Sequence, residues 1–237
     1  MRKALTIAGK EFRSYFVSPM GYVVLAFYLG VCGLIFALTI TTPQAAADMA
    51  GMFHTMVFVA LMMAPVITMG LLSQEQSTGS IELLMTNPVR DTEVVIGKYL
   101  GSIALFVLVL VGSLEFPLLL SAYGDPDWMA ILSGYIGVLL VGMTFLAIGV
   151  LSSSLVANQI AAAVLGYVML LFFWLIGWLD MAVEGVIGDI AKHISILENF
   201  QDFAKGIIDS RPIVFFASVI VFALFLSIRS LENRRTI

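Results

Sequence analysis

Charged residues stand far apart along this chain, and the intervals between them are apolar. None occurs between Arg13 and Asp48, none between Asp48 and Glu75, and none between Asp127 and Asp180. Crossing a bilayer takes about 20 mostly apolar residues in a helix. The first two intervals therefore predict helices near residues 20–42 and 52–73, and a third runs over 96–121. The stretch after Asp127 has room for two helices and a turn. The turn is placed at Ser152, Ser153, Ser154 and Asn158, which gives helices near 130–152 and 158–179. The last and shortest span, 212–229, lies between Arg211 and Arg229. Backbone in lipid must satisfy its own hydrogen bonds, so segments this apolar are expected to be helical. The expectation is an all-α membrane protein of six transmembrane helices in a single domain over residues 1–237.

Three segments do not fit as spans. In residues 1–18, Leu5, Ala8, Phe12 and Phe16 share one helical stripe while Lys3, Lys10 and Arg13 lie largely off it. This pattern predicts an amphipathic helix on the inner leaflet, ended by Ser18-Pro19. The alternative is a positively charged flank that only sets topology. The second segment, 74–90, is longer than the roughly 2–8 residues that join neighbouring helices. Thr78 and Ser80 offer caps for a short helix that Asn87-Pro88 ends, with Ile81, Leu84 and Met85 on one face and Glu82 on another. Acidic groups suit a soluble partner better than an anionic lipid surface. The third, 180–211, is too charged to span, yet Val186, Ile187, Ile190, Ile194, Leu197 and Phe200 recur at helical spacing. A short outer helix pair and a solvated outer subdomain are both compatible with it.

Orientation follows from lysine and arginine. With the N-terminus in the cytoplasm, Arg2, Lys3, Lys10, Arg13, Arg90, Lys98, Arg229, Arg234 and Arg235 lie inside, and Lys192, Lys205 and Arg211 lie outside. Both termini are then cytoplasmic. Ala45-Ala46-Ala47 imitates a signal cleavage site, but the apolar run before it exceeds a signal core of about 7–15 residues.

Composition agrees. The chain is 60% hydrophobic and 12% charged, against about 25% charged in soluble domains. There is no basic run for a nucleic acid. The one cysteine, Cys32, reads as a small core residue, and His54 and His193 lack neighbours at metal-ligand spacing. No metal site and no catalytic constellation is expected. Glu115 is the one carboxylate inside an expected span; about 1.5 Å of rise per residue from Lys98 puts it near the outer interface, beside Pro117. Glu115 and the helix-kinking Pro65 are candidate pathway or gate residues. Gly134, Gly137, Ala147 and Gly149, then Ala162 and Gly166, supply small faces for close helix packing.

The run Glu75, Gly79, Ile81-Glu82-Leu83-Leu84, Asn87-Pro88-Val89, Glu93 and Gly97-Lys98 resembles the cytoplasmic segment of ABC-2 type permeases, approximately E-x-x-x-G-T-x-E-x-L-L-x-x-P-V followed by G-K. The opening Lys10-Glu11-Phe12 and Ser18-Pro19 are similar to the start of that family, and the likeness extends to compact gliding-motility and copper-maturation permeases. Ser80 stands where threonine is usual, and Gln76 where lysine or arginine is common. The resemblance implies the permease subunit of an exporter in a bacterial or archaeal plasma membrane. It pairs with a second permease subunit, identical or related, and with a separate ABC ATPase. Glu75, Gly79, Ile81, Glu82, Leu84, Met85 and Pro88 would form the ATPase-coupling interface. No G-x-x-x-x-G-K-[ST] run is present, so ATP and magnesium are expected in the partner and no cofactor in this chain. A secondary carrier or a membrane anchor of a larger complex are the competing readings. A carrier would call for paired charges or broken helices at the midplane.

Overall fold

The computed structural model describes residues 2–40, 49–78, 90–122, 124–178 and 193–235. Every regular element among them is helical. In chain order these are α1 (Arg2–Val17), α2 (Met20–Ile40), α3 (Ala50–Thr68), α4 (Ser73–Ser77), α5 (Asp91–Gly112), α6 (Glu115–Leu120), α7 (Trp128–Leu155), α8 (Gln159–Leu175) with a 3-10 turn Ile176–Trp178, α9 (Ile196–Ala204) and α10 (Ser210–Arg235). Five stretches are long and apolar enough to cross a membrane: Met20–Ile40, Ala50–Ser77, Asp91–Leu120, Trp128–Leu155 and Ser210–Asn233. The interval 158–179 is filled by the shorter apolar helix Gln159–Leu175 and its 3-10 turn. The chain is a multi-pass, all-helical membrane protein.

Local chemistry sets the helix ends. Asp127 Oδ1 accepts from the Met129 and Ala130 N–H groups at the start of α7, and Asn158 Oδ1 does the same for Ile160 and Ala161 at the start of α8. Ser18 and Pro19 do separate α1 from α2. The junction is tight: a methyl at Gly21 would lie 2.7 Å from the Tyr15 carbonyl oxygen.

Two boundaries differ from the expectation. The helix expected to end at 152 continues to Leu155, so Ser152, Ser153 and Ser154 lie inside α7 and are buried. Only Asn158 belongs to the turn. Serines in lipid-embedded helices bond back to their own helix, as Ser152 Oγ does to the Gly149 carbonyl at 2.8 Å, so they need not end it. The expected span 96–121 is broken between α5 and α6. Pro117 has no N–H for the carbonyl of Ser113 four residues earlier. That carbonyl accepts instead from the Tyr135 hydroxyl at 2.8 Å and from the Phe116 N–H at 3.1 Å.

Helix α7 is the axis of the bundle. Most of its residues are buried, whereas most of those of α2 and α10 are not. Its glycines seat side chains from the helices around it. A methyl at Gly142 would fall 2.0 Å from the Phe106 ring of α5, and one at Gly134 equally close to Phe53 of α3. Gly137 lies under Phe203 and Phe200 of α9, and Gly149 under Thr68. Without a hydrophobic drive between helices in lipid, this close fit is a main source of association. Ala147 and Ala162 are buried, and Gly166 of α8 faces Ser152 and Pro65. Tyrosine hydroxyls add interhelical bonds, Tyr28 to the Met56 carbonyl, Tyr99 to Met143 and Tyr167 to Met62. Each such bond in a membrane protein contributes about 0.6 kcal/mol on average.

Candidate functional site

The chain leaving α3 is bound on several sides before it enters the segment 74–90. Helix α3 ends at Thr68, and its Ile67 carbonyl accepts from the Tyr15 hydroxyl of α1 at 3.2 Å. Burial, and after it the charge of Glu11, pushes the Tyr15 phenol well above its usual pKa, so it remains a donor. Helix α4 follows. The first N–H groups of any helix lack internal partners, and Leu72, which precedes α4, offers no capping side chain. Ser153 of α7 supplies the cap from outside: its Oγ accepts from the N–H groups of Leu72 at 3.0 Å and Ser73 at 3.1 Å, and donates to the Met69 carbonyl at 3.1 Å. The Ser73 hydroxyl also donates to Met69. Next to it, Gln76 Nε2 donates to the Ser154 carbonyl at 3.1 Å, which also receives Ser230 of α10 at 3.0 Å. That carbonyl is in the last turn of α7, where helical acceptors are free.

Charge completes the arrangement. Lys98 of α5 is 5% exposed, and its ammonium lies 2.8 Å from Glu75 Oε1 and 3.5 Å from Glu11 Oε2. A buried cation needs this company, since desolvation is otherwise prohibitive. The approach of α1 that brings Glu11 within reach depends on Gly97 and Gly101. A methyl on Gly97 would lie 2.7 Å from Ile7 Cβ and 2.8 Å from the Ala4 carbonyl oxygen, and one on Gly101 2.7 Å from Glu11 Cβ. Ala4, Ile7, Ala8, Glu11 and Tyr15 thus form the face of α1 that meets protein. Leu5 of the expected apolar stripe is instead exposed, on the flank beside that face, and Lys3, Lys10 and Arg13 are also exposed. Glu75 Oε2 and Gln76 Oε1 are buried and find no hydrogen-bond donor among the described residues.

Of the residues expected in the coupling interface, Glu75 is therefore placed in a polar knot joining α1, α4 and α5. Gly79, Ile81, Glu82, Leu84, Met85 and Pro88 lie outside the described residues, as does Ser80. Thr78 closes α4, donating through its N–H and hydroxyl to the Gln74 carbonyl, and the short helix it was expected to open lies outside the described residues. Pro65 is buried within α3, beside Gly166 of α8. Glu115 is exposed in the first turn of α6, beyond the far end of α5 from Lys98, so the structure does not bring it to the knot.

The pairing of Lys98 with Glu11, and the role of Ser153, were not anticipated. Lys98 carried the signal: a lone cation next to glycines at 97 and 101, seven residues inside a helix, requires a counter-charge. On the opposite face, Ser195 Oγ caps α9 through the Glu198 N–H at 3.3 Å. Ile196, Phe200, Phe203 and Ala204 bury against α7. The expected stripe through Leu197 is thus turned by one position, and Val186, Ile187 and Ile190 lie outside the described residues.

A family model described as ABC-2 family transporter protein matches residues 5–207. A search of curated proteins returned no match. The match takes in α1, the knot at Lys98 and the central helix α7. The chain accordingly belongs to the ABC-2 family of transporter proteins, as a membrane permease of an ABC transporter.

Proposed function

We propose that this chain is the permease of an exporter in which residues 74–90 face the cytosol and receive the stroke of a separate ABC ATPase. The observation that supports the reading best is the Lys98 knot. A segment that only joined two helices would gain nothing from a buried ammonium shared by Glu75 and Glu11. A segment that transmits force needs its root fixed to the helices it is to move. Through Lys98, Ser153 and Ser154, displacement of α4 is passed to α5, α7 and, by way of Glu11, α1. Interfaces of this kind have discrete arrangements, which lets a small shift at one end select a state of the whole bundle.

The same reading sets α1 along the inner leaflet, with Leu5 toward lipid and Phe12 and Phe16 packed partly against the bundle core. It puts both termini in the cytoplasm of a bacterial or archaeal cell and pairs the chain with a second permease subunit. Helix α8 with its 3-10 turn covers roughly 31 Å at the usual rises, enough for a sixth span. Glu82 and Leu84 would meet the ATPase, which binds ATP and magnesium.

The test is a cysteine at position 77. Ser77 is exposed, and the chain's single native cysteine, Cys32, is fully buried. In sealed inverted membrane vesicles a membrane-impermeant maleimide should label the Ser77→Cys chain, and the co-expressed ATPase should shield it. Labelling only in right-side-out cells, or labelling indifferent to the ATPase, would count against the reading.

A further inference from the structure

The end of the bundle away from the knot carries a cavity that the coupling role does not use. It is open, has a volume of about 420 Å³, and lies between α9 and the start of α10. Its wall includes Glu198, Asp202, Lys205, Asp209 and Arg211. Glu198 is engaged by Gln201 Nε2 at 3.2 Å, and Asp209 Oδ1 accepts from the Arg211 N–H at 3.3 Å and from the Ser210 hydroxyl at 3.4 Å. Among the described residues, the Lys205 ammonium, the Arg211 guanidinium and the Asp202 carboxylate take part in no ion pair. Opposite charges thus share one cavity without neutralising each other.

Its level relative to the membrane is marked by its neighbours. The turn between α9 and α10 reverses at Gly206, whose φ of 87° suits glycine. It rests on Ala130 in the first turn of α7, 3.1 Å from where a methyl would stand. Next to it Ile207 and Ile208 are exposed, as are Trp128 and Met129. Exposed isoleucines would be costly in water and are favourable in acyl chains, while tryptophan, lysine and arginine gather at the headgroup layer. The cavity therefore opens at headgroup depth, with Lys205 and Arg211 on either side of an apolar tip.

We propose that this cavity holds the zwitterionic headgroup of a phospholipid, of the phosphoethanolamine type. Lys205 and Arg211 meet the phosphate, and Asp202 with Asp209 meets the ammonium. Arginine and lysine are the usual partners of phosphate oxygens. Three carboxylates against two cations disfavour a purely anionic headgroup, whereas one bearing a primary ammonium answers both signs. The site goes beyond the coupling reading and stands or falls separately from it.

The experiment is native mass spectrometry of the full chain, purified from a bilayer of equal parts phosphatidylethanolamine, phosphatidylglycerol and diacylglycerol. Phosphatidylethanolamine should be retained over phosphatidylglycerol by about tenfold, the equivalent of about 1.4 kcal/mol. Lys205→Gln with Arg211→Gln should lower both phospholipids to the diacylglycerol level. Asp202→Asn should lower phosphatidylethanolamine and raise phosphatidylglycerol until the two are retained alike, an effect that misfolding would not produce. Equal retention of all three lipids by the unaltered chain would overturn the proposal. So would tighter retention of O-phosphoethanolamine than of phosphatidylethanolamine at equal concentration, which would make the occupant a soluble phosphoester.

Discussion

Replacing Lys98 with methionine keeps the length of the side chain and removes its charge. With an effective dielectric near 20, contacts of 2.8 and 3.5 Å correspond to gross attractions of about 6 and about 5 kcal/mol. Desolvating the ammonium cancels several kcal/mol of this, and the carboxylates, 26% and 21% exposed at their side chains, are partly screened by water. What remains is the penalty of leaving two carboxylates together without their cation. Removing one partner of a buried pair costs about 3–5 kcal/mol, and the exposure of the carboxylates points to the lower end. Lys98→Met is thus expected to destabilise the chain by about 3 kcal/mol, read from unfolding in mixed micelles by far-ultraviolet circular dichroism. In a Glu75→Gln background the same change should cost about 1–2 kcal/mol less, because neighbours in one network do not add. The coupling to Glu11, across the longer contact, should be smaller. A Lys98→Met chain within about 0.5 kcal/mol of the parent, or zero coupling in both cycles, would refute the knot as an energetic feature.

Gly97→Ala should cost about 1–3 kcal/mol by overpacking, since the new methyl meets the Ala4 backbone, and should expose α1 to limited proteolysis. Gly30→Ala, with nothing within 4 Å, is the neutral control. Ser153→Ala leaves the Leu72 and Ser73 N–H groups without an acceptor, a loss of about 1–3 kcal/mol visible as faster amide exchange at Ser73. Tyr15→Phe should cost about 1 kcal/mol at neutral pH. Because folding raises the Tyr15 pKa, that contribution holds below the ordinary phenol value of about 10 and fades as pH rises toward the folded value. The difference in stability between the parent and Tyr15→Phe should therefore narrow in strong alkali.

Spacing between charges located the helices well, because the cost of a charge in lipid is large and local. The first span, expected over 20–42, is Met20–Ile40. Helix ends governed by single hydrogen bonds were legible where a side chain caps its own helix, as at Asn158. They were not where the cap comes from elsewhere in the chain. Ser153 read as a turn residue because its partners, Leu72 and Ser73, are about eighty positions away. Likewise Pro117 was visible, but that Tyr135 would take up the carbonyl it frees was not. Glu75 could be singled out only through the family resemblance. Its contact with Lys98 requires α1, α4 and α5 to meet, which no local pattern encodes, although Gly97 and Gly101 hinted at a close helix neighbour.

If the Glu75–Lys98 contact passes the proposed ATPase stroke to the bundle, exchanging the two charges will reveal it. ATP turnover would be measured for the complex of this chain and its ATPase in lipid, with and without the permease changes. In a Glu11→Gln background, which keeps a like charge away from position 98, Glu75→Lys and Lys98→Glu should each assemble with the ATPase yet fail to stimulate turnover, and the two together should restore most of the stimulation. Full stimulation by either single variant would contradict the account.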